Sequence, residues 1–208
     1  MVAGKVCPYI TDGLIFWLDG LNRGGIAGQW KDLIGGNVFT LYNCTENSNR
    51  VTFNGSTSYG EAAGGVWYDK NNATIEVAIS NTAEKTAVFI HPSNGTNYGL
   101  SLFFGANNSM QTVCANSTYQ GTIFKPGYTK KTYSGTMTSC VAGKTQITST
   151  AGKANWAVNS TGKMLLGKRA NETYFLNGSI YGVRIYNRKL SVSEMKANQA
   201  VDFERYGF

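Results

Sequence analysis

The clearest pattern of hydrophobic and polar positions lies near the end of the chain. Within Ser179–Tyr186 the side chains alternate between two faces, and the β-branched and aromatic content is typical of a strand. Ser191-Val-Ser-Glu194 then forms a capping-box sequence, which predicts a helix from about Val192 to Phe203. The alternation predicts Tyr181, Val183 and Ile185 on one face of the strand and Ile180, Gly182, Arg184 and Tyr186 on the other.

Other strand-like segments follow one another at short intervals along the chain. Leu14–Leu18 is a continuous apolar run ended by Asp19-Gly20, which predicts a strand buried on both faces. Many short strands with Gly- and Asn-rich turns, followed by one short C-terminal helix, predict an all-β antiparallel sandwich. The remaining predicted strands are Arg50–Phe53, Thr74–Ser80, Thr86–His91, Gly99–Phe104, Met110–Ala115, Lys131–Cys140, Thr145–Ser149 and Lys163–Leu166.

Several stretches of the sequence together resemble a known family. They are Leu14–Gly25 with Trp30–Asn37, Val51–Tyr59 followed by Ala73–Ala78, and the closing Gly178–Glu194. In this order they resemble the laminin-G-like, concanavalin A-like jelly rolls found in bacterial and phage surface proteins. The resemblance implies one jelly-roll β-sandwich over residues 12–208, preceded by an arm or lead-in strand at residues 1–11. It also implies that the first and last strands lie in the same sheet.

Charge and hydropathy exclude two classes of partner. The 208 residues carry 19 Lys and Arg against 12 Asp and Glu, a net charge of +7, but the basic residues are dispersed. Nucleic-acid binding would require a basic stripe or helix. The longest apolar run, Leu14–Leu18, is too short for a signal peptide or a membrane span. We therefore expect no nucleic-acid partner and no membrane insertion. The resemblance to phage and bacterial surface proteins implies a location on a virion or extracellular surface.

The cysteines and the single histidine do not form a metal-binding pattern. Cys7, Cys44, Cys114 and Cys140 lack Cys-x-x-Cys spacing, and His91 is the only imidazole. Cys114 and Cys140 fall in predicted strands, where reduced, buried thiols are expected. A disulfide between Cys7 and Cys44 stays open, because pairing cannot be read from sequence.

Carboxylates in the pattern required for glycoside hydrolysis are also missing. Retaining hydrolysis needs an acid and a nucleophile about 5 Å apart, and no predicted strand presents two carboxylates on one face. Glu76 is the only carboxylate at the centre of a strong strand, where a solvent-facing or lysine-paired role is expected. We expect a protein that is not an enzyme.

Calcium is the cofactor that the resemblance leaves open, because laminin-G-like domains often hold one ion at the sandwich rim. Asp19, Asn22 and Asp69 are oxygen donors predicted in loops. Asp19-Gly20 is equally explained as a simple turn.

Binding through aromatic side chains is the remaining chemistry. The 26 aromatic residues exceed what one core requires, and several fall in loop-like contexts. Exposed rings can hold a sugar face while nearby polar groups take its hydroxyls. These considerations predict a non-catalytic module that binds a surface glycan. The alternatives are a structural virion component that binds only protein partners in an oligomeric assembly, and a glycoside hydrolase. The predicted ligand-binding residues are Trp67, Tyr68, Asp69, Tyr98 and Tyr119.

Overall fold

The chain folds into two antiparallel β-sheets and one C-terminal helix, which confirms the predicted fold class. The computed structural model describes residues 8–64, 74–81, 86–93, 101–104, 109–114, 117–123, 127–134, 136–141, 147–149, 163–168, 174–188 and 190–207, and from residue 81 to 149 only the backbone of the strands. The elements are β1 (Leu14–Asp19), β2 (Gln29–Lys31), β3 (Val38–Tyr42), β4 (Thr45–Glu46), β5 (Val51–Asn54), β6 (Tyr59–Ala63), β7 (Thr74–Asn81), β8 (Thr86–Ser93), β9 (Ser101–Phe104), β10 (Ser109–Cys114), β11 (Ser117–Ile123), β12 (Gly127–Ser134), β13 (Thr136–Val141), β14 (Ile147–Ser149), β15 (Lys163–Leu166), β16 (Asn177–Tyr186) and α1 (Val192–Tyr206).

The first sheet is built around β16. Its strand order is β14-β13-β12-β7-β16-β5-β4, and β1 also pairs with β16. Strand β7 runs along one side of β16, whereas β5 and β1 share the other side, β5 against residues 177–180 and β1 against residues 182–186. The predicted pairing of the first and last strands is therefore confirmed. The second sheet has the order β11-β10-β9-β8-β15-β6-β3-β2.

The main hydrophobic core lies between the two sheets. The first sheet contributes alternate residues of β1, β5, β7 and β16, and the second contributes Trp30, Phe39, Ala62, Met164 and Leu166. All these side chains are at most 3% exposed, so the inner faces are dry. A second cluster lies on the other face of the first sheet, where Leu190 and Met195 pack against Tyr186 under the helix. Strands β7 and β16 are thus covered on both faces.

The predicted alternation of β16 is wrong at two positions, Ile180 and Tyr181, since the Tyr181 ring lies against Tyr206 of α1 and not in the inter-sheet core. Ile180 lies in the inter-sheet core with Val183 and Ile185, not on the face of Arg184. The register against β7 shifts between Ile180 and Gly182, and a bulge of this kind puts one extra residue between two inward positions. The bulge occurs where β5 ends and β1 begins, and the Tyr181 carbonyl accepts a hydrogen bond from the Gly20 amide there.

Most predicted strands coincide with an observed strand, but their first and last residues often differ. The predicted Lys163–Leu166 is identical with β15, and Cys114 and Cys140 lie in β10 and β13 as expected. The single strand predicted at Lys131–Cys140 is wrong, because β12 and β13 pair as a hairpin with Ser134 opposite Thr136. The Ser134-Gly135 dipeptide in this stretch is a turn signal that the prediction overlooked.

Helix α1 begins at the predicted cap and ends beyond the predicted Phe203. The Ser191 hydroxyl accepts a hydrogen bond from the Glu194 amide, and the Glu194 carboxylate accepts one from the Ser191 amide at 2.7 Å. Gly207 ends the helix with a left-handed conformation, and its amide donates to the Phe203 carbonyl. Arg188 also contacts Glu194 with two guanidinium nitrogens, so one carboxylate fixes both the cap and the preceding loop.

A buried ionic cluster joins the helix to the first sheet. Arg184 of β16 lies directly opposite Glu76 of β7, and its Nε donates to Glu76 at 2.9 Å. Its other two nitrogens donate to the two oxygens of Asp202 in α1, each at 2.8 Å. The three side chains are at most 1% exposed. The cluster therefore fixes the rotation and the position of the helix on the sheet.

Polar neighbours complete this cluster. Tyr9 donates its hydroxyl to Asp202 at 2.7 Å, and the Arg184 guanidinium lies 3.9 Å from the centre of the Tyr9 ring. Asn198 donates to both Glu76 and the Tyr186 hydroxyl. Burial alone would lower the pKa of Arg184, but the carboxylates of Asp202 and Glu76 outweigh it and raise that pKa well above its ordinary value. The arginine is thus permanently charged and neutralised from two elements.

Removing the cation from this cluster should leave two carboxylates buried without their counter-ion. We expect Arg184→Met to lower the free energy of unfolding by about 3–5 kcal/mol at pH 7, since breaking a buried ion pair costs that much. Urea denaturation followed by tryptophan fluorescence measures the change. The control is the triple variant with Glu76→Gln, Arg184→Met and Asp202→Asn, which should be more stable than the single variant because no charge is buried. A single variant about as stable as the wild type would contradict this interpretation.

The helix cap predicts a pH dependence of stability. The hydrogen bonds from Arg188 and from the Ser191 amide lower the pKa of Glu194 from 4.5 to about 2. The carboxylate therefore contributes its full stabilisation above pH 4.5, and this contribution decreases as the pH falls towards 2, because the unfolded chain takes up the proton first.

Glu194→Gln should consequently reduce the slope of unfolding free energy against pH below 4.5, where the wild type loses this contribution. Denaturation curves between about pH 7 and 3 test this, over the range in which carboxylates titrate. Glu204→Gln, an exposed position on the same helix, is the matched control and should leave the slope unchanged. Equal slopes for Glu194→Gln and the wild type would refute the role of the cap.

Candidate functional site

Glu76, the carboxylate that sequence analysis singled out, is fully buried beneath the helix. The expected solvent-facing or lysine-paired role is wrong, because its partners are Arg184 and Asn198. Asp202 accepts hydrogen bonds from the same guanidinium, so two carboxylates do converge in this cluster. Both are 0% exposed and paired with Arg184, an arrangement that gives a substrate no access.

Cys44, at the end of the loop after β3, is a free thiol without nucleophilic character. Its Sγ contacts the carbonyls of Tyr42 and Tyr59 at 3.4 and 3.5 Å. Burial raises the pKa of Cys44 to about 12, so the thiolate that attacks a substrate is not populated near neutral pH. Through its contacts with the two carbonyls, the thiol stabilises the turn between β3 and β4.

The two calcium candidates of the first loop lie together, since Asp19 and Asn22 form a β-bridge. Both Asp19 oxygens already accept hydrogen bonds, one from Leu21 and Tyr206 and the other from Arg205. Within the described part of the chain, no group of three His, Cys, Asp or Glu residues could hold a metal ion. Calcium binding here stays a prediction, and it would require Arg205 to release Asp19.

An open cleft of about 500 Å³ lies at the edge of the sandwich, and we call it the edge cleft. Its floor is the ion pair of Arg23 and Glu46, and Arg23 also donates to the carbonyls of Gly20 and Asn47. Glu46 accepts a hydrogen bond from the Gly28 amide at 2.7 Å. The loop of residues 20–28, which leads into β2, is thereby hydrogen-bonded to β4, and both are outermost strands of their sheets. The residues that line it are Leu21, Asn22, Arg23, Gly25, Ile26, Ala27, Glu46 and Ser48.

The charges of the edge cleft are already neutralised, whereas its apolar side chains are exposed. The Arg23 guanidinium contacts a carboxylate and two carbonyls, which uses most of its donors. Leu21 and Ile26 are 46% and 59% exposed. The edge cleft is therefore suited to an apolar contact more than to a charged ligand.

The second candidate site is a row of aromatic and basic side chains on the outer face of the second sheet. Tyr42 of β3 lies opposite Tyr59 of β6, and their rings stack with centroids 4.6 Å apart and planes 20° apart. The Lys168 ammonium lies 4.5 Å from the centre of the Tyr59 ring and 5.7 Å from that of Phe175. We call Tyr42, Tyr59, Lys168 and Phe175 the aromatic row.

Alternation along the strands explains why the aromatic row faces outward. Phe39 and Leu41 of β3 point to the core, so Tyr42 points away from it. In β6 the inward residue is Ala62, which leaves Tyr59 and Glu61 on the outer face. Lys163 pairs with Glu61 beside the row at 2.6 Å.

Tyr42 is the most accessible member of this row, at 39% exposed. Tyr59 covers one face of its ring, so its exposure comes from the opposite face and the ring edge. A flat, rigid aromatic face on a sheet surface is suited to stacking against the apolar face of a sugar ring. Sequence analysis missed this pair, although alternation with Phe39 and Leu41 could have placed Tyr42 on the surface.

Most of the ligand-binding residues predicted from sequence cannot be compared with this geometry. Tyr119 lies in β11, opposite Thr112 of β10, so it belongs to a strand and not to the expected loop. His91 lies in β8. Trp67, Tyr68, Asp69, Tyr98 and Cys7 lie outside the described residues.

One structural property concerns membranes. Among the described elements, no helix is long and apolar enough to cross a bilayer.

Comparisons with solved structures show the same fold in proteins of very different sequence. A Trypanosoma rangeli sialidase in complex with the inhibitor DANA is 15% identical, with a TM-score of 0.66 over 94% of this chain and 35% of the sialidase. A receptor binding domain is 13% identical, with a TM-score of 0.65 over 90% of this chain and 51% of that chain. The chain thus spans about a third and about half of these two proteins, and at such identities the likeness concerns the fold.

Sequence comparison gives the family. A search of curated proteins finds no match. A family model, described as the concanavalin A-like lectin/glucanases superfamily, matches residues 54–196, which is more than half of the chain. The match includes β6, β15 and the complete β16, and it ends within α1. The protein belongs to the concanavalin A-like lectin/glucanases superfamily.

Proposed function

We propose that the protein is a non-catalytic module that binds carbohydrate, displayed on the surface of a virion or a cell. The observation that carries this proposal is the stacked pair of Tyr42 and Tyr59, held on the outer face of the second sheet. Stacking on Tyr59 fixes the Tyr42 ring, so little conformational entropy is lost when a ligand covers it. The fold of the superfamily supports the proposal, since its description includes lectins.

The proposal of a non-catalytic role rests on the chemistry of the described acidic residues. Arg184 forms ion pairs with Glu76 and Asp202. Asp19 is paired with Arg205, and Glu46 with Arg23. Asp32, which is 0% exposed, accepts hydrogen bonds from the amides of Trp17, Ile34 and Gly35. Each of these carboxylates therefore has a structural role.

A second candidate function is a structural component that binds only protein partners. It is favoured by the edge cleft, where Leu21 and Ile26 are exposed beside a neutralised ion pair. Apolar side chains with a polar surround are typical of protein interfaces. The two functions use different faces of the sandwich and can be separated by substitution.

Replacing Tyr42 should distinguish these two functions. We expect purified protein to bind one or more members of a glycan array, and Tyr42→Ala to weaken that binding about tenfold or more, because a central aromatic contact is lost. Ile26→Ala in the edge cleft is the control and should bind like the wild type. Thermal melting confirms that both variants fold. Trp67→Ala tests the predicted loop residues in the same way.

The contrary outcomes are also specific. Loss of glycan binding in Ile26→Ala but not in Tyr42→Ala would move the site to the edge cleft. An array without any binding, together with co-sedimentation of the protein with virion proteins that Ile26→Ala abolishes, would favour the structural function.

Absence of hydrolysis is a separate expectation. Incubation with β-glucans, galactans or host polysaccharide should release no reducing sugar between about pH 4 and 8, where tuned catalytic carboxylates act. A reducing-sugar assay measures this, with a commercial glucanase as the positive control. Turnover that disappears in Glu76→Gln while the fold is kept would make the protein a glycosidase.

A further inference from the structure

The charges of the described residues beside the aromatic row are not balanced. Lys163 is paired with Glu61 at 2.6 Å, whereas Lys168 contacts the rings of Tyr59 and Phe175. Among the described residues, no carboxylate lies within ion-pair distance of the Lys168 ammonium. Two ammonium groups thus face one carboxylate on this part of the sheet, which leaves one positive charge.

The position of this charge is defined by the sheet. Lys168 follows β15 after Gly167 and forms a β-bridge with Phe175. Gly167 has a φ of +71°, and an added Cβ there would lie 2.4 Å from the Phe53 ring, so the backbone can take this path only with glycine. Contact with Tyr59 then holds the ammonium above the ring by a cation–π interaction. An anion would meet a partly oriented lysine, which lowers the entropic cost of pairing.

The lysine is also close enough to Tyr42 to contact the same ligand. Tyr59 lies between the two, with a step of 4.6 Å to the Tyr42 ring and one of 4.5 Å to the Lys168 ammonium. A sugar unit stacked on the open face of Tyr42 lies on the side away from Lys168, so its own substituents would not reach the ammonium. A neighbouring unit of a longer chain, running along the row past the edges of Tyr42 and Tyr59, would reach it. A neutral substituent would gain little there, but an anionic one would replace water around an ammonium that has no carboxylate partner in the described structure.

The edge cleft lacks this property, since Arg23 is neutralised by Glu46. We propose that the aromatic row selects hexose chains that carry carboxylate or sulfate groups over neutral chains of the same backbone, with Lys168 as the group that binds the anion. This inference rests on the proposed carbohydrate binding. It names the class of carbohydrate and the residue that distinguishes it.

The test uses ligand pairs that differ only in charge. Oligogalacturonate is compared with its methyl ester, and a sulfated agaro-oligosaccharide with the neutral form, by isothermal titration of the full chain. We expect the charged member of at least one pair to bind about three- to fivefold more tightly at low salt, as is typical of an exposed charge pair. The difference should shrink when the salt is raised several-fold, because salt screens such contacts. The pair that shows the difference tells whether the anion is a carboxylate or a sulfate.

Substitution separates Lys168 from the general positive charge of the protein. Lys168→Gln should abolish the difference between charged and neutral ligands, and Lys168→Arg should keep it, because arginine retains both the charge and the ring contact. Lys196→Gln, on the exposed side of α1, removes the same charge far from the second sheet and should leave the preference unchanged.

Each result that contradicts the inference shows which part of it is wrong. Equal binding of charged and neutral ligands by the wild type would overturn the inference and leave carbohydrate binding intact. A preference that survives in Lys168→Gln, or disappears in Lys196→Gln, would overturn the role of Lys168. No binding of any of the four ligands, together with a blank glycan array, would overturn both the inference and the proposed function.

Discussion

The fold depends on one buried arginine. Arg184 lies two residues before the end of β16, the strand that pairs with β7 on one side and with β1 and β5 on the other, and it is 1% exposed. A guanidinium in that position is tolerated only if its charge is neutralised and its nitrogens are hydrogen-bonded. Glu76 supplies one carboxylate from the same sheet and Asp202 the other from the helix. A shift in the register of β16 against β7, or a displacement of α1 on the sheet, would leave a buried charge without its partner. Sheet register and helix docking are therefore a single structural requirement.

This requirement also decides what the first sheet can do. Its outer face is occupied by α1, by Tyr9 and by the ionic cluster, so the carboxylate with the most enzyme-like position in the sequence has a structural role. The tyrosine hydroxyls next to the cluster are buried as well. Burial raises the pKa of Tyr9, Tyr186 and Tyr206 above the ordinary value, which keeps these hydroxyls protonated as hydrogen-bond donors. The described side chains under the helix thus serve to hold α1 on the sheet.

Local features of the fold could be predicted from the residues themselves, whereas the one long-range feature predicted correctly, β1 and β16 in the same sheet, came from the family resemblance. The capping box at Ser191 and the strand at residues 163–166 depend on neighbouring residues, and both are present as predicted. The partnership of Glu76 with Arg184 spans 108 positions and depends on strand register, which alternation alone does not give. The bulge at Tyr181 is a further case. A strict period of two placed Ile180 on the wrong face and overlooked Gly182, an isolated glycine within a strand pattern, which is a signal for a bulge.

The candidate site illustrates the same limit on the other sheet. Tyr42 and Tyr59 are unremarkable in sequence, and only the pairing of β3 with β6 makes them one surface. Loop-like contexts drew attention to other aromatics, although a ring is held more rigidly on a strand than in a loop. Helix α1 covers β7 and β16 on the outer side of the first sheet, whereas the described outer face of the second sheet presents rings and charges to solvent. The ionic cluster that holds the helix in place thereby closes this part of the first sheet to solvent.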